Sequence, residues 1–582
     1  MYEETDDDDD DDDDDDRGDD GGESAVDRVV ASVVAYCNRL ENRALDRFDQ
    51  AGATGDIPAM RASIELLQEF NGGTSLMSRY VASRPMFIDA DRLLSLGPFE
   101  PGDSQSAERA LGRLFKQTLE ALRKEAGALV EVFAGEAGHQ VLDQLVQRTL
   151  EQCVQSAVST VMDSLLTGRG NSGRGVEELR DTANIFKMTQ QLLEAVKAVL
   201  EGDAGERAPP AVGPVSRFNM QDMLSELFQS ILHNYPALEL ENLACLSMRH
   251  LSEEGGSLTF SEDVFSFCSE AFGRCKLFMP PRDAQQCIFE IACAEEGTDG
   301  GGGGLLHCTL THLKTGLEQT AAKESETLRP SRGKNAKVWE VDIVPVFRRM
   351  LMGLKQATSL WHEAEQLVQG LMSNELSQSP VLAQEVQEAL KLYEGKVQFL
   401  QHAHMGASLD LVFPVLEATL KHFQQAQDFC PNLEDLANMG SATRACTKML
   451  QLAGGVERAA RENLEADQLL YVRLKLGFQM YEMFLAHLRN YKFNPTGGLR
   501  LKQDIHAFSQ TAKDWDLSNV ASRFDEMGDH ANMLIVAPES LPALVDTDYH
   551  LDHGLASDYI QLRSDYTTAT VGNQSLAEMF DR

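Results

Sequence analysis

Six of the ten cysteines fall between Cys245 and Cys308, in the same stretch as His250, His307 and His312. Thiolates and imidazoles gathered this way are zinc chemistry. Structural zinc sites, however, space their ligands by about two to four residues in tight turns. Here Cys268 and Cys275 are seven apart, Cys287 and Cys293 six apart, and no pair reads Cys-x-x-Cys. Seven residues is two helical turns. The favoured reading is therefore reduced cysteines buried on helices, with zinc as the sharper alternative.

Other candidate motifs fail on context. Gly168-Arg-Gly170-Asn-Ser-Gly173 has the letters of a dinucleotide-binding loop. Such a loop needs a strand before it, and the preceding segment reads as helix, so a helix-to-helix loop is expected. Trp361-His362-Glu363-Ala364-Glu365-Gln366 resembles half of a metalloprotease helix, but the second ligand position holds Gln366. His402 and His404 are two apart and belong on different helix faces. Arg17-Gly18-Asp19 spells an adhesion tripeptide inside an acidic tail, and coincidence is the better reading. Gly497 and Gly498, with Arg500 and Lys502 near, could cradle a phosphate at a helix start, although a structural turn capped by Thr496 or Gly497 suffices. No catalytic, cofactor-binding or metal-binding residue is assigned, and the chain is read as no enzyme.

The elements that would position any site are helices. No proline occurs between Pro101 and Pro209 or between Pro431 and Pro495, which leaves room for long helices. Leu111, Leu114, Phe115, Leu119, Leu122, Ala126, Leu129, Val130 and Phe133 step by three and four. A second run links Val141, Leu142, Leu145, Val146, Leu150, Val154, Val158, Val161, Met162 and Leu165. A third links Leu470, Leu474, Phe478, Tyr481, Leu485 and Leu488. All follow the helical period. Alternating strand runs joined by Asn-Gly or Asp-Gly turns are absent. The expectation is an all-α chain of fifteen or more helices in consecutive bundles.

Breakers divide it. Residues 1–23 read as a disordered acidic tail, 24–201 as N-terminal bundles, 202–216 as a proline-bearing linker and 217–298 as a middle bundle. Residues 299–335 read as a flexible connection with a helix, opened by the five glycines Gly300–Gly304, then 336–490 and 491–582 as two further bundles.

The net charge is −39 over 582 residues. The first 23 residues hold sixteen acids, eleven of them the run Asp6–Asp16, against Arg17 alone, so the remaining 559 residues carry −24. Such a body disfavours nucleic acid as a partner and is repelled by anionic lipid leaflets. The acidic start does not resemble a secretory or transit peptide, and no apolar stretch is long enough to span a bilayer. A soluble intracellular protein is expected. The Asp run is read first as a solubilising tail. The alternative is an acidic chaperone or nuclear binding module that grips basic proteins.

Three ordered blocks carry a resemblance. The first is Tyr36-Cys-Asn-Arg-Leu-Glu-Asn-Arg through Phe48-Asp49, with Phe70-Asn-Gly-Gly-Thr-Ser and Tyr80-Val-Ala-Ser-Arg-Pro-Met-Phe-Ile-Asp89. The second is Arg274-Cys-Lys-Leu-Phe278. The third is Phe493-Asn-Pro-Thr-Gly-Gly-Leu-Arg-Leu-Lys-Gln-Asp504, then Ile535-Val-Ala-Pro-Glu-Ser-Leu-Pro542 and Tyr559-Ile-Gln-Leu-Arg-Ser-Asp-Tyr566. Together they resemble the exocyst component five family, the Sec-ten subunits. Residues from about 205 to 450 resemble the family mainly in helical character.

The resemblance implies an elongated helical rod of consecutive bundles and a structural role in tethering secretory vesicles at the plasma membrane before fusion. It implies other exocyst subunits as partners, a possible small GTPase contact, no cofactor, and a cytoplasmic, membrane-peripheral location. The family begins with a long coiled-coil-forming region. Here the acidic tail runs almost directly into Tyr36, so that pairing region is expected to be missing, by natural loss or truncation. Residues 24–50 form a helix of under four heptads, too short for an independent coiled coil.

Overall fold

The computed structural model describes residues 25–68, 73–84, 103–133, 136–167, 175–201, 219–252, 257–295, 302–328, 337–431, 441–547, 553–572 and 574–580. The acidic tail, the Gly168–Gly173 loop, the 202–216 linker and part of the glycine run lie outside them. The chain forms two compact units, divided between His233 and Asn234.

The first unit runs α1 (Ala25–Thr54), α2 (Ile57–Gln68), α3 (Thr74–Ala82), α4 (Ser104–Val132), α5 (Glu136–Thr149), α6 (Ser156–Thr167), α7 (Gly175–Leu200), α8 (Met220–Leu227) and α9 (Gln229–Leu232). The Asp103 carboxylate caps α4 by accepting from the Gln105 N–H at 3.1 Å. Leu111, Leu114, Phe115, Leu122, Leu129 and Phe133 are buried as their spacing predicts, and α7 packs along this face. Val130 is exposed, because it lies one residue beyond Leu129 and so about 100° round the helix.

The second stripe shows how spacing shapes backbone. Val146, Leu150, Val154 and Val158 step by four three times, and all are buried. In a regular α-helix each such step drifts by about 40°. Between α5 and α6 the chain makes a π-helical turn, Leu150–Gln155, whose wider winding absorbs this drift.

The second unit runs α10 (Tyr235–Ser252), α11 (Ser257–Phe278), α12 (Pro281–Cys293), α13 (Leu305–Thr327), α14 (Ile343–Asn374), α15 (Pro380–Phe423), α16 (Ala426–Phe429), α17 (Arg444–Asn463), α18 (Ala466–Leu488), α19 (Pro495–Asp514), α20 (Ser518–His530) and α21 (Asn532–Ile535). It ends with α22 (Leu541–Thr547), α23 (His553–Gln561), the strands β1 (Thr570–Val571) and β2 (Gln574–Ser575), and α24 (Leu576–Phe580). One continuous hydrophobic core runs from Leu317 to Leu576, so residues on both sides of position 490 share it.

Four features depart from the expectations. The Gly302–Gly304 end of the glycine run is closely packed: a Cβ on Gly302 would stand 2.6 Å from the Leu240 carbonyl oxygen. Glycine is needed there because two helices close on the chain. The longest helix, α15, continues through Pro414, with Val412, Val415 and Leu416 buried beside it. An interior proline costs about 3 kcal/mol, which that burial offsets. On α18 the most buried side chains are Val472, Leu476, Met480, Phe484 and Leu488, while Leu474, Phe478, Tyr481 and Leu485 flank them half-buried and Leu470 is exposed. The helix is buried over a wider arc than one stripe. Finally, β1 and β2 pair antiparallel about Gly572, whose φ of 63° suits a tight hairpin turn.

Candidate partner-binding surface

The residues that suggested metal chemistry come partly together, but among the described residues not as a ligand set. Cys268, Cys275, Cys287, Cys293 and Cys308 are buried and Cys245 is exposed. Burial pushes the Cys293 thiol up to about 12 and Cys308 up to about 11, so both are held as neutral thiols. Cys275 and Cys287 place their sulfurs 3.4 Å apart. His312 stacks on Phe260 at 4.0 Å, and burial followed by the charge of His250 lowers it to about 4. Among the described residues no cluster of His, Cys, Asp or Glu has a metal-binding arrangement. His362 meets Glu365 at 3.5 Å on an exposed turn. His404 is buried with Nε2 3.1 Å from the Met350 carbonyl, while His402 is exposed and lies edge-on to Tyr471 at 4.9 Å.

The Gly497-Gly498 turn is a structural joint. Its cap is Asn494, not Thr496 or Gly497: the Asn494 side chain accepts from the Gly497 N–H at 2.7 Å. Asn494 donates its own N–H to the Phe429 carbonyl at 3.1 Å and its amide to Pro431 at 3.2 Å. A Cβ on Gly497 would stand 1.7 Å from the Phe429 carbonyl oxygen, so that carbonyl fills the space a phosphate would need. Arg500 pairs with Asp428 at 3.1 Å, and Lys502 donates to Asn532 at 2.8 Å. The anion-binding cations are already engaged.

The other blocks build similar joints. Arg274 forms a bidentate pair with Glu239, at 2.7 and 2.9 Å, and the Tyr235 hydroxyl donates to the same carboxylate at 2.5 Å. Phe278, at the end of that block, meets the Tyr235 ring edge-on at 5.1 Å. Phe48, Tyr80 and Phe133 form a buried ring cluster, and Arg84 lies 3.9 Å over Tyr80. Arg563 is buried, bidentate on Asp565 at 2.8 Å, and donates to the Met533 and Val536 carbonyls.

Among the described residues, one apolar helix face stays exposed. The C-terminal half of α1 buries Ala44, Leu45, Phe48 and Ala51, and α2 packs against α1. α1 is 30 residues long and α2 only 12. At 1.5 Å per residue these are about 45 Å and 18 Å, so much of α1 extends past its neighbour. On the N-terminal half of α1, Val29, Val30, Val33, Val34 and Tyr36 are 51–62% exposed. Val30, Val33, Cys37, Leu40 and Ala44 alternate by three and four, the spacing of a helix-pair seam. Valine is a mediocre helix former, so five valines in nine residues are not chosen to hold a solvated helix. Large exposed apolar patches mark interaction sites.

The family model described as exocyst complex component Sec10-like, alpha-helical bundle, matches residues 11–255 and 252–575. The chain belongs to the exocyst Sec10 family. Members of this family are components of a tethering complex. Among its relatives, exocyst complex component SEC10a of Arabidopsis thaliana is 28% identical, over 94% of this chain and 69% of the relative. Exocyst complex component 5 of Oryza sativa subsp. japonica is 26% identical over 94% and 71%. The Mus musculus exocyst complex component 5 is 21% identical over 93% and 74%. The family that matches is the one the sequence blocks resemble, and Arg274, Asn494, Gly497 and Arg563 of those blocks sit at helix joints. No helix among the described residues is long and apolar enough to cross a membrane.

Proposed function

We propose that this chain is a structural subunit of the exocyst that helps hold secretory vesicles at the plasma membrane before fusion, joining other subunits through exposed helix faces. The observation that carries the reading is the exposed face of Val29, Val30, Val33 and Val34 on α1. Its four-three spacing fits an apolar helix of another exocyst subunit, packed side by side. Family membership supports the assembly, and the buried, neutral thiols and engaged cations leave the other motifs with structural work. The subunit acts in the cytoplasm and reaches membranes through the complex.

Each valine buried in such an interface contributes roughly 1.5 kcal/mol or more. Two glutamates in their place add an unpaired-charge cost. In cells, the tagged Val29→Glu/Val33→Glu chain is expected to lose at least tenfold of the exocyst subunits that the unaltered chain recovers. Both positions are exposed, so the fold stands. A chain lacking residues 1–23 should recover them in full. The reverse pattern would favour an acidic module working through the Asp run.

A further inference from the structure

We infer that the groove between α13 and α15 docks an amphipathic helix of a partner protein that carries carboxylates beside its apolar stripe. The groove has a volume of about 610 Å³, is open to solvent, and lies in the second unit. Its floor is apolar, with Leu310 and Leu400 half-buried. On its wall Phe399 is 72% and Leu392 50% exposed, although Tyr393 and Val397 on the opposite side of α15 are buried. Leu392 and Phe399 are two helical turns apart, about 10.5 Å. Gly395 sits between them, and a Cβ added there would meet nothing within 4 Å. The result is a notch flanked by two apolar posts, the shape of a hole that receives a knob from a facing helix.

Charge selects the occupant. Lys314, Lys391 and Lys396 line the groove of a chain whose net charge is −39. Lys396 reaches Glu295 at 3.1 Å. Among the described residues no carboxylate stands within ion-pair distance of Lys314 or Lys391. Glu388 and Glu394, on the same helix, are hydrogen-bonded to Gln384 and Gln398. A helix with leucine-type residues seven apart and flanking Asp or Glu satisfies both the posts and the lysines. An anionic bilayer would supply charge but no knob for the notch, and the chain's overall charge opposes it. The groove is small for a permanent interface, so a weak, reversible contact is the fitting class.

The test is fluorescence anisotropy of the full chain with a labelled three-heptad peptide carrying leucine at the a and d positions and glutamate beside them. Micromolar binding is expected. Phe399→Ser should weaken it at least tenfold, and Lys314→Glu/Lys391→Glu should weaken it similarly while conferring binding to the lysine-flanked version of the peptide. All three side chains are exposed, and an unchanged melting curve verifies folding. No binding of the glutamate peptide, or binding indifferent to both variants, overturns the inference. So does sedimentation with phosphatidylserine vesicles that depends on the same lysines, or a dimer of this chain that Phe399→Ser abolishes. The α1 variant should bind the peptide normally, which keeps this result separate from the proposed subunit contact.

Discussion

Arg274 donates from Nε and Nη2 to the two carboxylate oxygens of Glu239, at 2.7 and 2.9 Å, and their side chains are 6% and 0% exposed. Burial works to lower the arginine's proton affinity, but the hydrogen bonds and charge of Glu239 outweigh it and hold it raised. The pair joins α10 to α11. Removing one member strands the other charge in a dry site, at about 3–5 kcal/mol. Arg274→Ala should therefore lower the urea midpoint sharply. Trp339, Trp361 and Trp515 all lie in the second unit, so tryptophan fluorescence reports this unit directly. Arg274→Met/Glu239→Leu should recover much of the loss. A single variant that unfolds at the unaltered midpoint would show the pair to be idle.

Gly497 is placed by contact. The Phe429 carbonyl stands where a Cβ would go, and it also accepts the Asn494 N–H at 3.1 Å. Gly497→Ala must push α16 and α19 apart. A loss of roughly 2 kcal/mol or more is expected, in the range of buried overpacking. Gly454, inside α17, has open space at its Cβ position. Gly454→Ala should instead stabilise by about 0.5–1 kcal/mol through helix propensity. Thermal melting of the two variants gives shifts of opposite sign.

Arg563 tests a different joint. Its guanidinium binds Asp565 at 2.8 Å twice and two backbone carbonyls, those of Met533 at 2.9 Å and Val536 at 2.7 Å. These bonds fasten the chain after α23 to the end of α21. Lysine keeps the charge and gives up the planar fork. Arg563→Lys should cost about 1.5–3 kcal/mol, the loss of charged hydrogen bonds. It should also raise amide exchange in the 533–541 segment. Unchanged exchange there would mean that the core alone holds the end of the chain.

The helices were legible because burial leaves a period in the sequence. The run from Leu111 to Phe133 reads as one stripe, and Leu111, Leu114, Phe115, Leu122, Leu129 and Phe133 form it while Val130 turns to solvent. The harder cases are those where tertiary contact outranks local signal. Proline disfavours a helix interior, yet packing around Val412 and Leu416 carries α15 through Pro414. The glycine run reads as slack, but Gly302 is short of space. The Gly572 hairpin rests on two residues per strand, too few for an alternating pattern. The α1 valines are a further kind of case. A residue buried by its own chain and one left for a partner look alike in sequence. Only the length mismatch of α1 and α2 separates Val29 from Leu45.

Asp504 ties α19 to the start of α17, accepting from the Thr443 N–H at 2.6 Å and its hydroxyl at 2.9 Å. Burial pushes its carboxyl up to about 7, against the hydrogen bonds from Thr443, the charge of Arg500 and the bond from Cys446, which pull it down. The folded-state value lies above the usual 3.8, so the folded chain binds more protons than the unfolded one between about pH 4 and 7. This group's contribution is fully present below pH 4, declines as pH rises through about 7, and is gone above it. The slope is at most about 1.4 kcal/mol per pH unit. Other groups also titrate across this range, so the whole chain need not follow this slope. Comparison with Asp504→Asn isolates it. On going from pH 8 to pH 5, the unaltered protein should gain stability relative to the variant by on the order of 1–3 kcal/mol in urea titrations. Parallel stability curves for the two would place the Asp504 titration outside this range.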